Sequence, residues 1–166
     1  MTAGHVTGPV PYSNLVGTAD PLALLGSTPE RIAQLVEHWQ PTLWSRSYGE
    51  GKWSAAQLVL HLAHDEIGWS NRVRLALSVP SYLPVPYDGA EWVRLETPTV
   101  PDLALDAFLA LRRLNLILYQ RLTPLQLAQP LHHPVVGDIT IAWILARIAG
   151  HDLHHFTQLQ AIAALQ

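Results

Sequence analysis

Three histidines occupy positions where a helical pattern calls for core residues: His61 in WSAAQLVLHLAHDE, and His151 and His155 in GHDLHHFTQLQAI. Residues i and i+4 of a helix share a face about one turn apart, so the imidazoles of His151 and His155 can point at a single ion. A third nitrogen from His61, on a separate amphipathic helix, would complete a trio that leaves coordination positions open, as catalytic metal sites require. An arbitrary HxxxH is more often a pair of hydrogen-bonded core histidines. Here the flanking stripe is apolar, and an imidazole without a partner in such a seam costs about 1–3 kcal/mol. A bound metal removes that penalty. His61, between Leu58 and Leu62 on its side of the helix, faces the same cost.

The neighbouring polar residues sort by their angle around the helix. Asp65 lies one turn beyond His61 and has three readings: a ligand, an acceptor for the second N–H of an imidazole, or a proton acceptor for bound water. His64 and His154 are rotated by about 100° per residue from the trio's faces and read as flanking or structural. Asp152 reads as a surface or orienting acid. His132 and His133, in a loop beside Pro134, are expected to be exposed and are not assigned to the metal; His5 and His38 carry no constellation. Arg72 and Arg112 fall on inward sides, where pairing with a carboxylate such as Asp65 or Glu66 is the commoner role and binding an anionic substrate the rarer one. Gly150 inside a helix costs about 1 kcal/mol relative to alanine, which implies close approach of another backbone.

These residues need four long helices to position them. Residues 1–27, with several Gly, Pro and Ser and no sustained period, read as an irregular lead-in, leaving a single domain over residues 28–166. The first helix is expected from Thr28-Pro29-Glu30 to near Pro41. The second starts at the capping box of Ser54 and Gln57, with Trp53 ahead of it, and runs to about Leu77. Pro80, Pro84 and Pro86 then open a long Pro/Tyr-rich connection, a candidate cover for the site in which Trp92 could line a pocket. The third helix is expected from Pro101-Asp102 to about Leu122, with a short turn at Thr123-Pro124. Residues 129–138 read as a loop, and the fourth helix runs from Ile139 or Thr140 to near Leu165. The fold class is therefore all-α, an antiparallel four-helix bundle with a long crossover loop between helices 2 and 3.

Composition narrows the function. Of 166 residues, 49% are hydrophobic and 14% charged, as in a well-buried globular domain. A net charge of −3 with only 10 Lys and Arg offers no basic face for nucleic acid. No run reaches the roughly 18 apolar residues of a membrane span, and no secretory signal opens the chain, so the cytoplasm is the expected compartment. Cysteine is absent, which removes disulfides, a cysteine nucleophile and thiolate ligands.

The blocks GKWSAAQLVLHLAHDE, YDGAEWV, FLALRRLN and GHDLHHFTQLQAI, in that order, resemble the DinB-like superfamily over roughly residues 28–164. The resemblance implies a commonly dimeric four-helix bundle with a divalent metal held by one histidine of helix 2 and two of helix 4. By position these are His61, His151 and His155. Relatives include transferases and isomerases dependent on bacillithiol or mycothiol, and many members named as metal-dependent hydrolases.

Taken together, these readings lead to a metal-dependent enzyme with a small-molecule substrate, either a low-molecular-weight-thiol S-transferase or a hydrolase. An ion held by the trio would lower the pKa of a bound thiol or water, with Asp65 as a candidate proton acceptor in the hydrolase. Three neutral imidazoles suit zinc or nickel, with iron and manganese also compatible. An external thiol cofactor fits a chain without cysteine, and so does a hydrolase. The competing readings are a non-catalytic metal-stabilised bundle that binds a small ligand or protein partner, and a bundle with unmetallated histidines.

Overall fold

A computed structural model of the protein describes residues 8–165; His5, the rest of the first seven residues and Gln166 lie outside the described residues. Short α1 (Ser13–Val16) precedes α2 (Pro21–Val36), α3 (Pro41–Trp44), α4 (Ala55–Ser78), α5 (Gly89–Leu95), α6 (Pro101–Tyr119) and α7 (Pro124–Leu127). A hairpin of β1 (Pro130–His133) and β2 (Gly137–Thr140) then leads into α8 (Ile141–Ala163). The four long helices, α2, α4, α6 and α8, form the bundle. Helix α4 packs on α6 and α8, and α2 completes the ring against the same two helices.

Local chemistry sets most helix starts. The Ser54–Gln57 capping box forms in both directions, at 3.3 and 3.0 Å. Thr140 caps α8 by accepting from the Trp143 amide. The expected start of the first helix is corrected: Asp20 caps α2 through the Leu22 and Ala23 amides, with Pro21 at its first position. Residues 13–16 and 21–27, expected to be irregular, are therefore helical. Pro29 consequently lies inside α2, where it cannot donate to the Leu25 carbonyl four residues earlier. Arg112 of α6 donates to that carbonyl instead, Nη1 to O at 3.0 Å, which removes much of the usual cost of an interior proline.

The expected loop over residues 129–138 is corrected as well. It holds an antiparallel hairpin in register from Pro130 with Thr140 to His133 with Gly137, and Gly137 takes the positive φ of 88° at the turn. Inside the long connection, Asp88 caps α5 by accepting from the Ala90 and Glu91 amides.

Helix directions follow from the contacts. His61 meets His151, Asp65 meets Arg147 and Trp69 meets Trp143, so α4 and α8 run antiparallel. Helices α4 and α6 run parallel. Gln57 hydrogen-bonds Thr97 just ahead of α6, while Tyr119 at the end of α6 joins Val73 and Ala76 in the core. Parallel neighbours need a connection that returns along the helix, about 36 Å for a helix as long as α4, which is what the crossover provides.

The apolar core is divided along the bundle. One cluster gathers Ile32, Val36, Leu58, Leu62, Phe108, Leu159 and Ile162, the other Leu25, Val73, Tyr119, Ile144 and Ile148. Between them lies a buried polar layer: His61, Asp65 and Glu66 of α4, Arg112 and Asn115 of α6, and His151, Asp152 and His155 of α8. Among the described residues no helix is long and apolar enough to cross a membrane.

Candidate metal centre and its adjoining cavity

The polar layer has two faces, because consecutive residues of a helix diverge by about 100°. Toward α6, Glu66 and Asp152 flank Arg112, at 2.6 Å and 2.7 Å, and Asn115 donates to the second oxygen of Glu66. All four are at most 1% exposed, so this is a closed structural ion-pair network. Toward the long connection, Asp65 and His151 join His61 and His155.

The Nε2 atoms of His61 and His155 each lie 3.0 Å from Nε2 of His151, and one nitrogen from each ring falls within 4.8 Å of the others. The rings cross edge-on at 64–80°, so they converge on a common point rather than stack. The outer nitrogens indicate which atoms face inward. Nδ1 of His155 lies 2.7 Å from Gln158 Oε1, which can only accept, so the proton of His155 sits on Nδ1 and Nε2 carries a lone pair. Nδ1 of His151 lies 3.2 Å from Asp65 Oδ2, an electrostatic contact off the line of an ideal hydrogen bond. Its partner is an anion, which again places the proton on Nδ1. Two lone pairs 3.0 Å apart repel unless a cation lies between them. This donor set fits a divalent metal.

Electrostatics agree. Burial pushes the pKa of His61 down and that of His151 well down, and burial with the neighbouring His61 takes His155 down to about 3. The three rings therefore stay neutral, as ligands must. Burial alone would raise the Asp65 carboxyl, but His151, Arg147 and His61 outweigh it and hold it below the usual carboxylate range. Both of its oxygens are engaged: Oδ2 by the Arg147 guanidinium and Oδ1 by the Tyr87 hydroxyl, which donates at 2.9 Å.

Helix periodicity brings His61, Asp65, His151 and His155 together as expected. It missed Arg147, although the i−4 spacing from His151 mirrors that of Asp65 from His61. It also missed Gln158, and Tyr87 from the connection. Trp53, expected only to staple the start of α4, packs against His61 at 4.7 Å and His155 at 6.3 Å between ring centroids. His64 turns away to Trp92 and Glu96, and His154 stacks on Tyr12 at 4.7 Å. The expectation of an exposed His133 is corrected: it is 5% exposed, stacked on Trp69, with Nδ1 accepting from the Val135 and Val136 amides. His132 is exposed and pairs with Asp138. Gly150 is needed for close approach, since a Cβ there would lie 2.9 Å from Tyr12 Cβ and O.

A cavity of about 230 Å³ adjoins the histidines, lined by His61, Asp65, Arg72, Tyr87, His133 and Arg147 among others. The connection forms one wall. Gly89 at the start of α5 sits so close to His61 that a Cβ would meet its ring at 2.8 Å, and Tyr87 lies over Gly68 in the same way.

Fold and site together define a helical bundle with an open three-histidine centre, and the comparisons with known proteins give this class its family. A sequence profile of the DinB superfamily matches residues 24–159, and the chain belongs to that superfamily. A protein of Oceanobacillus iheyensis named "Putative metal-dependent hydrolase" is 28% identical over 131 residues, 78% of this chain and 76% of its own length. A second protein of that organism with the same name is 28% identical over 117 residues, 70% of this chain and 68% of its own. The structure of YfiT from Bacillus subtilis, titled a probable metal-dependent hydrolase with an unusual four-helix bundle topology, superposes with a TM-score of 0.81 at 25% identity. That match covers 87% of this chain and 85% of YfiT.

Proposed function

We propose that this chain is a metal-dependent hydrolase of small molecules in which His61, His151 and His155 hold one divalent cation. The observation that carries the reading is the approach of the His61 and His155 Nε2 atoms to 3.0 Å from that of His151, with the outer nitrogens of His151 and His155 turned toward acceptors. The naming of the relatives supports hydrolysis. Zinc and nickel suit three imidazoles best, and iron and manganese remain compatible. A cation bound there supplies Lewis acidity and draws the pKa of a water or thiol toward neutrality.

The chain's own residues do the rest. Gln158 and Asp65 hold the rings of His155 and His151 in the inward-facing tautomer. Asp65 acts by orientation and charge, because a carboxylate already occupied on both oxygens and held below its ordinary range is a poor proton acceptor. Tyr87 and Gly89 close the cavity above His61 and restrict water. Thiol transfer is the second reading, favoured by a chain that has no cysteine of its own beside a site with an open cavity.

Metal analysis of untagged protein tests the centre: about one divalent ion per chain is expected, falling to background in His61→Ala. Sub-stoichiometric metal that the variant leaves unchanged rejects the site. Loaded protein should then hydrolyse members of an ester and amide panel. Turnover of monochlorobimane only with added low-molecular-weight thiols would instead select transfer, and no turnover in either assay would leave a metal-stabilised binding bundle.

We further propose that the protein works as a cytoplasmic homodimer, without nucleic-acid or membrane partners. Leu103, Leu114 and Ile117 of α6 with Ile67 of α4 are 66, 56, 50 and 47% exposed, an apolar stripe suited to a second copy. Light scattering should give twice the chain mass, and Leu114→Glu should give the monomer; a monomeric wild type rejects this assignment.

A further inference from the structure

We propose that Arg72 is the anion-binding residue of the cavity beside the three histidines and that the substrate of this site carries a carboxylate. The inference rests on the proposed metal centre and adds a substrate class to it.

Arg72 follows Asp65 by two turns on the inward face of α4 and is 4% exposed. Its Nη2 donates to the Val85 carbonyl at 2.9 Å. Nε and Nη1 are buried with no hydrogen-bond partner among the described residues. The guanidinium is held between two rings, 4.4 Å from Trp69 and 5.0 Å from Tyr87. Arg112, equally buried, has two carboxylates, and Arg147 has Asp65. Arg72 has no carboxylate within ion-pair distance among the described residues. A buried guanidinium without a counter-charge is costly, and its pKa is pushed down by burial. An incoming anion would remove that cost.

The charges of the cavity specify the anion. Arg72 and Arg147 face one carboxylate, Asp65, leaving one positive charge before any cation is counted. His133 on the same wall is held neutral by burial and by the two arginines. At the arginine end of the cavity, away from the histidine trio, the complement is one negative charge. A planar guanidinium immobilised between rings matches a planar carboxylate. A phosphate dianion would need more donors, and the first amides of α5 at this wall are already taken by Asp88. The volume, about 230 Å³, is below the ~300 Å³ at which drug-sized pockets begin. The occupant is therefore a small carboxylic acid whose reactive group reaches His61 while its carboxylate meets Arg72.

The test uses the full chain stripped of metal with EDTA at about pH 8, so that neither a cation nor a protonated histidine can hold the anion. Propionate and benzoate are titrated against their amides and inorganic phosphate, read by tryptophan fluorescence, to which Trp69 contributes, and by calorimetry. Saturable binding of a carboxylate is expected, with its amide at least about tenfold weaker. Arg72→Gln should weaken the carboxylate by at least about tenfold and leave the amide unchanged, with Arg72→Lys falling between. Equal binding of acid and amide, binding of phosphate alone, or unchanged carboxylate affinity in Arg72→Gln overturns the proposal. Circular dichroism checks folding; if the glutamine variant does not fold, unchanged affinity in Arg72→Lys overturns it. Metal stoichiometry is measured on the same preparations. Intact metal binding without Arg72-dependent carboxylate binding retires this inference alone, and the converse retires the metal centre alone.

Discussion

Asp65 faces His151 across 3.2 Å, Oδ2 to Nδ1, while the Arg147 guanidinium engages the same oxygen. One carboxylate thus neutralises an arginine and aims an imidazole. The arrangement explains how an acid, a base and a cation share a buried layer without a net penalty that unfolds the bundle.

Asp65→Asn keeps the shape and removes the charge. Arg147 loses its counter-ion, and His151 loses the anion that orients it. Metal affinity should fall about 10- to 100-fold, the usual effect of losing the partner of a ligating histidine. Chelator competition measures it; wild-type affinity in this variant would exclude an orienting role for Asp65.

The metal-free protein should lose stability as acid is added. An unfolded histidine takes up a proton near pH 6.5. Folded His155 does so only near 3, and His61 and His151 are shifted in the same direction. In that window the unfolded chain binds more protons, so stability rises with pH up to about 6.5 and then levels. The slope is about 1.4 kcal/mol per pH unit for each histidine that stays neutral in the fold. Asp65, whose pKa is lowered, adds its loss only below about pH 4. Urea unfolding between about pH 5 and 8 should show the decline, with a shallower slope in His155→Gln. Identical slopes would contradict the assignment.

Arg112→Met should be among the most damaging substitutions in the core. Glu66 and Asp152 would remain buried without a counter-charge, and the Leu25 carbonyl that Pro29 leaves open would lose its donor. A loss of about 3–5 kcal/mol is expected from denaturant unfolding. A loss below about 1 kcal/mol would mean that the network relaxes or takes up water.

Gly150→Ala opposes two effects of known size. Helix propensity favours alanine by about 1 kcal/mol, but the new methyl would meet the Tyr12 backbone and Cβ, and overpacking costs about 1–3 kcal/mol. The rigid backbone contact should win, giving net destabilisation of about 1 kcal/mol. Gly26→Ala in α2, where nothing lies within 4 Å, should instead stabilise by about 0.5–1 kcal/mol. Equal effects at the two sites would show that Tyr12 yields.

Much of this was legible one turn at a time. The capping box at Ser54, the cap at Thr140 and the four-residue spacing of His151 and His155 are interactions between near neighbours, and the local pattern of types reports them. The start of α2 was not legible, because Asp20-Pro21 and Thr28-Pro29 carry the same local signal. What makes Pro29 an interior residue is an arginine 83 positions away. The burial of His133 was hidden for a similar reason: it depends on a hairpin closing over Trp69.

The amino-acid pattern by itself thus determined that there are four long helices and which histidines share their inward faces, since both depend on periods of three to four residues. Tertiary structure alone decided that α6 returns parallel to α4, that Arg147 and Tyr87 claim Asp65, and that Arg72 has no carboxylate within ion-pair distance among the described residues. Those outcomes depend on which helix packs beside which. That is set by the summed burial of two apolar clusters and one polar layer, a property of the whole chain.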